Sequence, residues 1–494
     1  VKGTAQAQVE QAKALAAVGR LEAGLALLAP LAARADAPWQ ALSVQADLLK
    51  RAGRLVDSAA LSRRLVAVRP QSVPARHNLA STLGDLGRPV EAEAVARETL
   101  ALGGDAPETW LVLARALQGQ NRFDEAEAAY RGALQRRPGY VDALRDRTQL
   151  IWMRTEDAAA ACAPLDAAIA AASDPSPLRR IKARLLEFAG RPDDAYAALI
   201  AGPLDAASEL AAAQAVMRAD PARALEHASR AAALAGRQVL PIQAAQAEAC
   251  LALGDPHAAL AHVEAMRAAA PDNQHVLALL ATAWRMDGDP RYETLYDYAA
   301  FVRPYRLDAP SGWTSLDAYL SDLARALHGL HQLKTHPVGQ SLRGGSQTTA
   351  KLSESDDPVI AAFFQAIDGP IRAYMAALGT GEDPLRSRNT GRYHVQGSWS
   401  VRLRPNGFHT DHIHSEGWLS SACHIELPPA VQGDDREGWL RFGAAPGLPD
   451  LPSQHYVQPQ PGTLVLFPSY MWHGTTPFGG EASRLTLAFD VVPA

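Results

Sequence analysis

Four side chains able to hold a metal ion stand within positions 409–414: His409, Asp411, His412 and His414. His473 follows about sixty residues later, and Arg484 comes eleven residues after it. In an extended strand alternate side chains share a face, so residues two apart can grip one ion while a third ligand arrives from a distant strand. Two such pairs are present, His409 with Asp411 and His412 with His414. They are offset by three, an odd number, so a continuous strand sends them to opposite faces and only one pair should hold the ion. A face of two histidines and a carboxylate suits Fe(II), leaving positions open for a bidentate co-substrate and dioxygen, and the charge of the ion favours His409 with Asp411. Against this, the turn signal Pro405-Asn406-Gly407 lies just upstream of that pair, and regular pairing is expected nearer His412.

The elements around these residues are short strands. The turn Pro459-Gln460-Pro461-Gly462 leads into an apolar strand from Thr463 to Phe467, with His473 just beyond its end. From 484 to 491, Arg484, Thr486, Ala488 and Asp490 alternate with Leu485, Leu487, Phe489 and Val491, which predicts a strand with one polar and one apolar face. An Arg on the inner face of such a strand is costly unless paired. The distal carboxylate of a dicarboxylic acid is a natural partner, matched by the guanidinium fork and by a Thr486 hydroxyl. Further strands are expected at Trp399–Arg404, Leu419–Leu427 and Gly438–Phe442, and amphipathic helices at Leu316–Leu330 and Pro358–Leu378. The run Arg343-Gly344-Gly345-Ser346-Gln347-Thr348 reads as a polar loop, a connector or an anion contact over the site. Trp418 and Trp472 flank the candidate ligands in sequence and are expected either to wall a substrate pocket or to pack on the outer layer.

From about Trp399 onward the chain resembles the 2-oxoglutarate-Fe(II) oxygenase superfamily, specifically a bacterial and phage group that often follows tetratricopeptide repeats. The matching stretches are His412-Ile413-His414-Ser415-Glu416-Gly417-Trp418-Leu419-Ser420-Ser421, Gly438-Trp439-Leu440-Arg441-Phe442-Gly443, Pro461-Gly462-Thr463-Leu464-Val465-Leu466-Phe467-Pro468-Ser469-Tyr470 with His473, and Arg484-Leu485-Thr486. The resemblance implies a double-stranded β-helix (jelly roll) over 291–494, buttressed by the two helices. It implies Fe(II) on His412, His414 and His473, with His409 and Asp411 as the alternative pair. It also implies 2-oxoglutarate on Arg484 and Thr486, dioxygen as co-substrate, and hydroxylation as the outcome.

The first 290 residues carry a repeat. Gly19-Arg20, Gly53-Arg54, Gly87-Arg88 and Asn121-Arg122 are spaced 34 residues apart, each between Ala- and Leu-rich segments, and further junctions fall at Gly190-Arg191, Asp220-Pro221, Gly254-Asp255 and Gly288-Asp289. A helix-turn-helix unit of this period resembles the tetratricopeptide repeat, whose stacked pairs bury a seam that one pair cannot. Between Thr155 and Ala219 the pattern weakens. The fold class is thus multidomain α + β, an α-helical solenoid over 1–290 followed by the jelly roll over 291–494. Such a solenoid offers a groove for a protein or peptide partner, or else serves self-association into a homo-oligomer.

The function expected is hydroxylation of a protein or peptide side chain delivered by the repeats. The alternatives are a small-metabolite hydroxylase whose repeats serve assembly, and a non-catalytic scaffold or sensor. The composition is 48% hydrophobic and 20% charged with a net charge of -5, which gives no sign of nucleic-acid binding. No apolar run reaches the roughly 20 residues of a membrane span. The three scattered cysteines, Cys162, Cys250 and Cys423, are expected to be small buried side chains, and a cytoplasmic location is expected.

Overall fold

The computed structural model describes residues 2–236, 239–448 and 451–494. By internal contacts the chain divides into two compact units, 1–150 and 151–494. Paired helices run from Lys2–Ala17 to Gln274–Asp287, and none among the described residues is long and apolar enough to cross a membrane.

The repeat junctions close in one way except at Asp220, which has φ -149° and caps the next helix by accepting from the Arg223 N–H. Gly19, Gly53, Gly87, Asn121, Gly190, Gly254 and Gly288 all have positive φ. The next residue donates its N–H five positions back, as in Arg20 to Leu15, Arg54 to Leu49, Arg88 to Leu83 and Arg122 to Leu117. This is the Schellman closure, whose left-handed residue costs glycine nothing and asparagine little. In the first unit the seam is made of small and aliphatic side chains, such as Ala80, Ala96, Ala126 and Ala133 around Leu113 and Tyr130.

In the second unit the helices from Ala244 onward share one continuous core with the strands, running from Ala244 through Trp284 to Val491. The nine strands described are β1 (Arg303–Arg306), β2 (Leu342–Gln347), β3 (Tyr393–His409), β4 (Leu419–Glu426), β5 (Leu440–Phe442), β6 (His455–Val457), β7 (Thr463–Pro468), β8 (His473–Thr475) and β9 (Arg484–Pro493). They form a six-stranded sheet in the order β1-β7-β4-β9-β3-β2 and a three-stranded sheet β6-β5-β8. All paired neighbours are antiparallel, and Phe442 of the small sheet meets Phe467 of the large one edge to face at 5.0 Å. This is the jelly roll, and the chain is a multidomain α + β protein.

Three local expectations need revision. The glycine run at 343–348 is no loop: it forms most of β2, paired with β3 across an irregularity between Arg343 and Gly345. A Cβ on Gly345 would lie 2.5 Å from the Arg402 carbonyl, so the glycines admit a neighbouring backbone. The Pro405-Asn406-Gly407 turn signal is a bulge inside β3, with Asn406 at φ 63°. The single helix expected over 358–378 is two, Pro358–Ala366 and Asp368–Leu378, because Pro370 cannot donate a helical N–H.

Candidate metal centre

The segment after β3 returns to the sheet through two backbone anchors. The His412 N–H donates to the His473 carbonyl at 2.9 Å and His473 N–H to the His412 carbonyl at 3.0 Å, a bridge that fixes two candidate ligands side by side. His414 N–H donates to the Ser469 carbonyl at 3.1 Å and holds the third ring against the same cluster. Ring centroids are 4.2 Å apart for His412 and His473, 5.0 Å for His414 and His473, and 5.2 Å for His412 and His414. One nitrogen from each lies within 4.8 Å of the others, and among the described residues these three are the group so placed.

The hydrogen bonds behind the rings decide which nitrogens face inward. Nδ1 of His412 donates to the Thr410 carbonyl at 2.8 Å, Nδ1 of His473 to the Met471 carbonyl at 2.9 Å, and Nδ1 of His414 to the Asp490 carboxylate at 2.6 Å. With Nδ1–H committed outward on every ring, each Nε2 lone pair is left for an ion, and second-sphere anchoring of this kind is the habit of metal-bound histidine. The Nε2 atoms of His412 and His414 are 3.2 Å apart. Two ligands each about 2 Å from one ion at a right angle would be separated by about that much. Burial pushes the His412 pKa down to about 3 and holds His473 well below its ordinary value, so both are neutral and ready to coordinate.

His409 and Asp411 line the same cavity but are otherwise engaged. His409 Nδ1 pairs with Ser341 Oγ at 2.9 Å, and Asp411 accepts from Arg441 Nη2 at 2.6 Å. A second carboxylate stands behind the histidines. Asp490 accepts from His414 and also from Ser420 Oγ at 2.7 Å, lending negative charge to the cluster through an imidazole.

On β9 the alternation is as expected from sequence. Leu485, Leu487, Phe489 and Val491 are fully buried in the core, while Arg484, Thr486, Ala488 and Asp490 line the cavity. Arg484 is only 3% exposed. It donates to the Gly438 carbonyl at 2.7 Å, and neither Asp490 nor Glu481 pairs with it. Burial lowers its pKa to about 10, which leaves it a cation at neutral pH. Thr486 Oγ1 reaches the Val401 carbonyl only at 3.5 Å. A buried cation with neutral partners and a weakly engaged hydroxyl on one wall suit an incoming carboxylate.

The two tryptophans stand outside this cavity, which corrects the expectation that they wall it. Trp418 Nε1 donates to the Leu385 carbonyl at 2.9 Å, and Trp472 Nε1 donates to Thr282 Oγ1 at 2.9 Å. Trp472 precedes a ligand by one position, and alternation sends it to the other side. Trp399 of β3, its ring centroid 5.5 Å from that of His414, lines the cavity instead. Sequence reasoning missed it, although it sits at even spacing from Val401. It also missed Ser341, whose Oγ lies between His409 Nδ1 and His412 Nε2 and which no spacing rule connects to them.

Comparison with known proteins follows the same division. Residues 397–490 match the family described as "Putative 2OG-Fe(II) oxygenase", and residues 85–147 match a tetratricopeptide repeat family. The two matches together are those of a fusion of tetratricopeptide repeats with a putative 2OG-Fe(II) oxygenase domain. No curated protein matches it. Among solved structures, a tetratricopeptide repeat protein from Parabacteroides merdae is 15% identical, with a TM-score of 0.35, covering 50% of this chain and 98% of its own. A MamA double mutant, "MamA RS-1 ArsTM", is 16% identical, with a TM-score of 0.31, covering 34% of this chain and 97% of its own. MamA residues 41 to the end from Desulfovibrio magneticus RS-1 give 15%, 0.31, 34% and 93% in the same order. These structural likenesses are too loose to argue from. The oxygenase match spans the three histidines, Arg484 and Thr486, whereas Ser341 and the helices that reach the cavity lie outside it.

Proposed function

We propose that the cavity is the active site of an Fe(II)- and 2-oxoglutarate-dependent dioxygenase that hydroxylates a protein or peptide side chain. The observation that carries this reading is the convergence of three Nε2 atoms, each anchored through Nδ1, in a cavity that also presents a buried Arg484 without a carboxylate partner. His412, His414 and His473 would hold the metal. Arg484 and Thr486 would hold the distal carboxylate of 2-oxoglutarate. Bound together with dioxygen, iron and 2-oxoglutarate supply oxidation of an unactivated C–H bond, with succinate and carbon dioxide as co-products.

The chain's own residues contribute position and exclusion of water. Asp490, fixed by Ser420, sets the tautomer of His414, while the Thr410 and Met471 carbonyls set the other two. Phe442 and Phe467, both buried, pack against the His473 ring at 6.2 and 4.6 Å between centroids and keep that side dry. The cavity measures about 1150 Å³, above the roughly 300–1,000 Å³ usual for a small-molecule pocket, which leaves room for a side chain beside the co-substrate. The repeats, a module that commonly binds peptides, would deliver it.

The test is anaerobic titration of the full chain with Fe(II) and 2-oxoglutarate, following the visible charge-transfer band of the chelate. The band should form in the wild type and in Asp411→Ala and vanish in His414→Ala. Loss in Asp411→Ala alone would hand the metal to His409 and Asp411. Absence in the wild type would leave the chain a scaffold.

A further inference from the structure

Part of the lining of this cavity does not come from the oxygenase strands. It is made by the weakest part of the repeat pattern: Glu187 and Phe188 at the end of helix Ser176–Phe188, and Gln214 and Arg218 from helix Ala206–Val216 and the turn after it. Arg343 of β2 lines the cavity beside Phe188.

The charges lining the cavity can be accounted for one by one. Arg441 is taken by Asp411 at 2.6 Å, Asp490 by His414 at 2.6 Å, and Arg484 lies on β9 with the Gly438 carbonyl. Glu416 is exposed in the turn after His414. That leaves Arg218, Arg343 and one carboxylate, Glu187, and among the described residues none of the three forms an ion pair. Two guanidinium groups therefore face one carboxylate.

Arg343 is built to point. Its Nη1 donates to the carbonyls of Gln340 at 3.0 Å and Leu342 at 2.9 Å, and its guanidinium lies 5.2 Å from the centroid of the Phe188 ring. One arm of the fork is fixed and its place over the ring is set, while the other arm keeps its donors. Arg184 takes Phe188 as well, at 5.7 Å, adding a third cation behind the ring. The charge of Arg218 is felt at Glu187, at Arg343 and at Asp411, so it reaches both sides of the cavity.

We infer that Arg218 and Arg343 together receive an anionic side chain, a carboxylate or a phosphate, carried by the peptide whose neighbouring residue is oxidised. This rests on reading the cavity as an oxygenase site. It makes the repeats part of that site, with substrate held between the Arg218 turn and the histidine face. The chain as a whole carries a net charge of -5, so general electrostatics would repel such a peptide and its affinity must be local.

The experiment uses the full chain loaded with Mn(II) and 2-oxoglutarate and three fluorescein-labelled peptides, alike except for two central residues: both glutamate, both phosphoserine, or both glutamine. Binding is read by anisotropy at fixed ionic strength. At least one anionic peptide should bind tenfold or more tightly than the glutamine peptide, and which of the two does so tells carboxylate from phosphate. Arg218→Gln, on an exposed turn where folding is not at stake, should reduce that preference at least threefold, and Arg218→Gln with Arg343→Gln should abolish it. Equal binding of all three, no binding of either anionic peptide, or a preference intact in the double variant overturns the inference. So does displacement of the peptide by 2-oxoglutarate, which would make the arginines a co-substrate site. The Fe(II) and 2-oxoglutarate band of the double variant is measured alongside. A normal band in the double variant together with loss of the preference is the expected result; a normal band in the wild type with no peptide preference there sinks this inference alone, and a band absent from the wild type sinks the oxygenase reading instead.

Discussion

A buried guanidinium is stable only if something repays its lost hydration, and Arg484 has beside it only the neutral Gly438 carbonyl and a His424 nitrogen at 3.4 Å among the described residues. His424 is itself held neutral by burial with Arg484 beside it, so it offers no counter-charge. Arg484→Ala is therefore expected to weaken 2-oxoglutarate binding by about 2 to 4 kcal/mol, roughly 30- to 1000-fold, the usual cost of a lost charge-assisted pair. Metal affinity without co-substrate should stay close to that of the wild type, because Arg484 bonds to none of the three histidines. Isothermal titration with 2-oxoglutarate checks this, and unchanged affinity would remove Arg484 from the site. At this scale the sequence was legible where one strand carries the pattern: Arg484 and Thr486 follow from alternation alone. Choosing between the two candidate pairs by charge pointed to Asp411. The carboxylate that hydrogen-bonds to the histidine cluster is Asp490, 76 residues from His414 and joined to it only by folding.

Elements were legible where a backbone conformation has one cheap residue. The glycine and asparagine junctions of the repeats announced themselves because a left-handed helix end selects those residues. The same residue misled at β2, where Gly344 and Gly345 serve close approach of two backbones inside a sheet, and composition cannot tell that use from a loop. The junction between the helix Leu316–Leu330 and the sheet was equally hidden. There His331 bonds through Nδ1 to Ser346 Oγ of β2 at 2.9 Å and through Nε2 to Ser400 Oγ of β3 at 3.0 Å. Burial pushes its pKa down to about 3, below the unfolded value of about 6.5. The unfolded chain thus takes up this proton first. His331 costs nothing above pH 6.5, and between there and pH 3 it subtracts about 1.4 kcal/mol per pH unit, or about 2 kcal/mol at pH 5. Urea denaturation at pH 7 and pH 5 should show that loss, and His331→Gln should reduce the difference by about the same amount. An unchanged difference would mean that the imidazole is protonated in the fold.

At the scale of the molecule, the change from repeats to barrel is a change of element type and not of core. Helix Gln274–Asp287 buries Val276, Leu277, Leu279, Leu280 and Trp284 in the cluster that also contains Phe442, Phe467 and Val491 of the strands. Apolar residues on every side are what a helix shows when it is enclosed, and this one has strands to enclose it. Polar contacts reinforce the join, with Arg285 donating to the carbonyls of Gly443 and Pro452 and Trp472 donating to Thr282. Sequence periodicity cannot reveal this, because a repeat reads the same whether its outer face meets another repeat or a barrel. Two truncations separate the possibilities. A chain of residues 151–494 retains the whole cluster and should stay folded and bind Fe(II) with 2-oxoglutarate. A chain of residues 291–494 loses these five side chains and Leu251, Val263 and Met266 besides; the five alone, at about 2 kcal/mol each, contribute about 10 kcal/mol, which rivals the whole stability of an ordinary domain. It should be insoluble or lack a cooperative thermal transition in circular dichroism. A cooperative transition from 291–494 comparable to that of 151–494 would show that the barrel's core closes without the repeats. Their reach into the cavity would then be a docking of separate bodies.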